Sequence, residues 1–77
     1  RQVEGVLLGF TLREREGGVW KVSMRATNTA DASAVCAKFG GGGHKGAAGC
    51  SITGELEDVK ARVVAACGEA IKALENK

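Results

Sequence analysis

At 77 residues the chain makes one small domain, and because a chain of this size buries only about 60% of its unfolded surface, its core cannot enclose a deep active site alone. Apolar residues at 44% and charged residues at 26% describe an ordinary soluble domain and exclude a disordered tail, and no apolar run approaches the roughly 20 residues of a membrane span. The formal net charge of +2 is too weak to draw nucleic acid by bulk electrostatics, so any anion site must be local.

Arg1 stands where an initiator methionine would, and the strand pattern begins by Val3, so we expect a piece of a longer protein. From Val3 to Leu12, "VEGVLLGFTL" is rich in apolar and β-favouring residues. "REREGG" then reads as a solvated hairpin turn closed by Gly17 and Gly18. The return run "VWKVSMRAT" alternates: Trp20, Val22, Met24 and Ala26 point one way, and Lys21, Ser23 and Arg25 the other. One face is core, and the other is polar and available.

"NTADASAVCAKFG" predicts a short helix with Asp31 as N-cap, Ala32, Val35, Cys36 and Phe39 on one side, and Gly40 just past its end. After a glycine-rich loop, "AGCSIT" reads as a third strand. From Glu55 onward Leu56, Val59, Val63, Cys67, Ile71 and Leu74 recur at helical spacing, with Glu55, Glu57 and Asp58 in the first turn favouring the positive end of the dipole. The expected fold is α+β: a small mixed sheet with two helices packed on it, in the order β-β-α-β-α.

The loop "KFGGGGHKGAAGC" concentrates glycine beside two cationic donors. Glycine loses more conformational freedom on folding than any other residue, so such a run has a cost unless its backbone is used. The run follows a helix C-terminus, whose partial negative charge repels anions, and it lacks the Gly-Lys-Ser/Thr ending of a P-loop. Peptide N–H groups alternating between left- and right-handed conformations would form an anion-binding nest, with His44 and Lys45 adding charge or hydrogen bonds. Composition alone is equally consistent with a flexible connector.

"GGGHKGAAG", residues 41–49, closely resembles the GGGH-x-x-AAG signature of the DHH-associated C-terminal domain of DHH-family phosphoesterases, the RecJ-like and nanoRNase/pAp-phosphatase proteins. "VWKVSMRA" is similar to that family's K-V-S-x-R-S strand, and "ADASAVCAKFGGGGH" to its V-D-V-S-x-I-A-x-x-F-G-G-G-G-H segment, so the likeness covers nearly the whole chain in order. Ala26 replaces the serine usual after the arginine, and Ala30 and Ala32 replace the valines around Asp31.

The resemblance implies that residues 1–77 are one substrate-binding domain of a cytoplasmic phosphoesterase. The partner it implies is an N-terminal DHH domain of the same chain, which holds manganese and cleaves phosphoesters of short oligoribonucleotides, pAp or a related nucleotide. Carried onto this sequence, the grip falls to Arg25 with Ser23 beside it, and to Gly41, Gly42, Gly43 and His44, with Lys45 next to them. No catalytic residue, cofactor or metal ligand is expected in the chain itself. Its single histidine and the capping Asp31 do not make a metal pair, and Cys36, His44 and Cys50 lack C-x-x-C spacing. The three cysteines read as reduced thiols, with Cys36 and Cys67 on core stripes. Two alternatives share these motifs: an autonomous nucleic-acid-binding module like the C-terminal region of alanyl-tRNA synthetases, and the C-terminal domain of a cyclic-dinucleotide phosphodiesterase. Phe10, Trp20 and Phe39, all on expected core faces, leave the first without a stacking platform.

Overall fold

The computed structural model describes residues 8–27 and 29–75. The chain runs β1 (Leu8–Arg15), β2 (Val19–Ala26), α1 (Ala32–Ala37), β3 (Gly42–His44), β4 (Ala47–Thr53) and α2 (Leu56–Glu75). The strands form one sheet in the order β1-β2-β4-β3, antiparallel at every pairing. Both helices lie on one face of it, since inward-facing Val22, Met24, Cys50 and Ile52 share a single buried cluster with Val35 and Cys36 of α1 and with Val59, Val63 and Cys67 of α2.

The α+β class and both helices agree with the sequence reading, and one strand is added. The glycine stretch, which reads as a loop, supplies β3, and this strand pairs with β4 around a two-residue turn at Lys45 and Gly46. That extra strand also corrects the expected mixed sheet. A β-α-β crossover would lay its strands parallel, but β3 reverses the chain once more, so β4 enters antiparallel to β2. The first strand continues through Arg13, Glu14 and Arg15, leaving Glu16–Gly18 as the turn, with Gly17 and Gly18 both at φ +73. Of the strand expected from Val3, residues 3–7 lie outside the described ones.

Local chemistry fixes the remaining joints. The Asp31 carboxylate caps α1 by accepting from Ala34 N–H at 3.1 Å and from the Ser33 hydroxyl. At the other end Gly40, at φ +82, lets Gly40 N–H reach Ala37 O and Gly41 N–H reach Cys36 O, the paired bonds of a Schellman termination. Trp20 donates its indole N–H to Gly54 O at 3.1 Å, and Gly54 N–H reaches Gly18 O, so the β1–β2 turn is tied to the start of α2. Among the described residues no helix is long and apolar enough to cross a membrane.

Candidate functional site: the bare face of the sheet

The alternation that sends Val22 and Met24 into the core sends Lys21, Ser23 and Arg25 out through the other face, which no described element covers. Strand register turns this face into cross-strand rows. One row reads Gly9–Arg25–Ala47–His44, the next Thr11–Ser23–Gly49–Gly42, and the third Arg13–Lys21–Ser51. Neighbouring strands lie about 4.8 Å apart, so Arg25 and His44 stand roughly 10 Å apart across the small side chain of Ala47. Both can lean toward one ligand over that methyl group, and a guanidinium fork suits a phosphate.

Of the sequence-derived candidates, the structure brings Arg25, Ser23, Gly42 and His44 together on this face. It sets Gly43 and Lys45 elsewhere, while Gly41 borders the face next to Gly42. Gly43 pairs with Ala48 on the helix-facing side, and Gly41 lies against Gly49 and Cys50. Lys45 sits beside the first turn of α1: its carbonyl accepts from Ala32 N–H at 2.8 Å, and its positive charge lowers the Asp31 pKa only as the smallest of the causes. The Asp31 acidity is raised by the Ser33 hydroxyl first and the Ala34 N–H second, which together hold its pKa below the ordinary 3.8.

The glycine run forms the exposed edge strand β3, with positive φ at Gly40 and Gly43 but not at Gly41 or Gly42. A hollow of about 510 Å³ lies alongside, lined by Lys21, Phe39, Gly40, Gly41, Gly42, Gly49, Cys50 and Ser51. Phe39, which the helical pattern puts in the core, is half-buried and contributes to this hollow, so the face does carry an aromatic at its margin.

Sequence reasoning placed Lys21 on this face without counting it in the site, and it missed Arg13 and Arg15 there. Their signal was available in the alternation, since Lys21 shares parity with Arg25 and the turn residues place Arg13 opposite it. Four of the 11 lysines and arginines occupy this face, and none of its outward strand positions among the described residues is acidic. The small net charge therefore conceals a locally basic face, whereas α2 on the other side mixes Glu57, Asp58 and Glu69 with Lys60, Arg62 and Lys72.

Manganese, a hard cation that favours oxygen and imidazole donors, does not fit the described residues: no three His, Cys, Asp or Glu side chains among them come together to hold a metal ion. The thiols are equally unsuited to catalysis. Burial pushes up the pKa of Cys36 and Cys67, and burial, with Cys36 beside it, pushes Cys50 up to about 11, so all three stay protonated near neutrality.

Fold and site together define a small sandwich of one sheet and two helices, helix-covered on one side and bare and basic on the other. The chain belongs to the DHHA1 domain family, whose profile matches residues 1–73. It is similar to the bifunctional oligoribonuclease and PAP phosphatase NrnA of Thermus thermophilus, with 43% identity over 70 residues, 90% of this chain and 21% of that protein. The chain thus spans about a fifth of the length of that curated relative.

Proposed function

We propose that the chain is the substrate-binding domain of a cytoplasmic, manganese-dependent DHH phosphoesterase that acts on short oligoribonucleotides or pAp. In this reading Arg25 and His44 grip one phosphate or nucleotide across Ala47, while Ser23 and the outward peptide groups of β3 add hydrogen bonds. The metals and the bond-breaking step belong to a separate DHH domain of the same protein, and the 77 residues alone turn nothing over. The observation that carries the reading is the row Arg25–Ala47–His44: two donors held at a fixed separation over a small floor on an otherwise bare face. The two activities in the name of the NrnA relative supply the substrate class.

The test is steady-state kinetics of Arg25→Ala in the whole enzyme with a short oligoribonucleotide. Arg25 is exposed and packs little, so the expected result is a raised KM and a kcat/KM lowered tenfold or more with the melting temperature unchanged. Parental kinetics would remove the reading. A collapse in melting temperature would make Arg25 a structural residue instead.

A further inference from the structure

We infer that the bare face holds a second anion subsite at its hairpin end, formed by Lys21, Arg13 and Arg15, which takes a phosphate further along a single-stranded oligonucleotide gripped at Arg25 and His44; this rests on the reading just given. Lys21 and Arg25 are four residues apart on one strand and on the same face, so their Cα atoms lie on the order of 13 Å apart along β2. Arg13 stands directly opposite Lys21, and Arg15 is one outward position further along β1. Between the two cationic groups the surface carries only Thr11, Ser23, Gly42 and Gly49, which leave a shallow polar channel for a sugar–phosphate backbone.

The hollows follow the same line. The one beside the glycine run borders Lys21 and Ser51, and so does a second of about 470 Å³, lined also by Arg15, Glu16 and Val19. A third, lined by Gly9, Phe10, Thr11, Ser23 and Arg25, opens at the Arg25 end. Glu16 is the one acid lining these three hollows, and it sits in the turn, beyond the last cation. Among the described residues no salt bridge engages Lys21, Arg13 or Arg15, so their charge is available to a ligand rather than spent on a protein carboxylate. Extended nucleic acid carries phosphates at regular intervals, and a second cation group displaced along the strand axis rewards a longer chain. A substrate of one nucleotide reaches only the first group.

The experiment is equilibrium binding of fluorescein-labelled oligoadenylates of increasing length, from the dinucleotide to the pentanucleotide, to the whole enzyme in EDTA, which stops turnover. In the parent, affinity should rise with length by about tenfold, the scale of one added charge-assisted hydrogen bond. Lys21→Gln combined with Arg13→Gln should leave dinucleotide affinity within twofold and erase the gain with length. The salt dependence of pentanucleotide binding should flatten, by about 0.7 in log–log slope for each phosphate that the variant no longer neutralises. An undiminished gain with length in that variant would overturn the subsite, as would an equal loss at every length, which would merge Lys21 with the first site. Arg25→Ala separates the two claims: it should weaken every length alike, and parental binding by that variant would refute the underlying reading rather than the second subsite. Lys21→Arg should restore the length dependence, because only the charge is required.

Discussion

Placing a methyl group on Gly41 should unfold much of the site, while placing one on its neighbour Gly42 should leave the fold alone. A Cβ at Gly41 would stand 2.5 Å from Cys50 Cβ and 2.8 Å from Cys50 Cα, and closer still to the Gly49 carbonyl oxygen. Two of these are backbone atoms of β4, paired on its far side with β2, so no side-chain rotation relieves the overlap. Either β4 shifts away or the Gly41 N–H bond to Cys36 O, 3.0 Å long, is broken. Overpacking of this kind costs about 3 kcal/mol. A domain of 77 residues has roughly 4–12 kcal/mol in total, so the loss is a large share of it. At about 4–8 °C per kcal/mol the melting temperature should fall by roughly 12–24 °C. Gly42, by contrast, has open space where its Cβ would be and no left-handed φ, so Gly42→Ala should melt within a few degrees of the parent. Thermal unfolding of both variants by far-ultraviolet circular dichroism reads the contrast directly. A Gly41→Ala protein that melts with the parent, or a Gly42→Ala protein that unfolds, would refute the placement of β3 against β4.

Gly43→Ala should be destabilised like Gly41→Ala, since Gly43 has φ +147 and its Cβ would stand 2.7 Å from Ala48 Cα; urea denaturation checks it. Met24→Ala, which empties a side chain only 1% exposed, should lose about 2–5 kcal/mol in the same assay. Lys38 and Glu69 form an exposed ion pair at 3.0 Å, so Lys38→Ala should cost no more than about 1 kcal/mol, and less in high salt. Asp31 is more acidic in the fold than its ordinary value of 3.8, so its cap contributes fully above that pH and is lost as pH falls through the lower folded value. Asp31→Ala should therefore melt below the parent at neutral pH, and the gap between the two should close in acid.

Period-two and helical patterns carried most of the fold into the sequence. The alternation of β2 and the Val59–Val63–Cys67 stripe of α2 each hold because burial of one face leaves the pattern no freedom. β3 was hidden because three consecutive residues without β propensity pair only by virtue of β4 beside them, a tertiary effect that overrides local preference. The Lys45-Gly46 pair was the available hairpin signal, masked by the glycines on its flank. Missing one strand also misassigned the sheet's directions. At the site, the outward parity of Ser23 and Arg25 was legible, but their neighbours were not, because Ala47, Gly49 and His44 join them only through cross-strand register. The same register is what sets Gly43 on the helix side, a distinction a run of identical residues cannot show.

Whether Arg25 and His44 hold one ligand group between them is decided by a double-mutant cycle in equilibrium binding of pAp to the whole enzyme. Each hydrogen bond to a charged phosphate contributes about 1.5–3 kcal/mol, so Arg25→Ala and His44→Ala should each weaken binding by roughly tenfold to a hundredfold. Because both act on one group across Ala47, the double variant should lose less than the sum of the two by more than about 0.5 kcal/mol, the size of coupling expected for shared partners. Losses that add in full would place the two residues on separate ligand groups, and parental affinity in both single variants would leave the bare face without its shared grip.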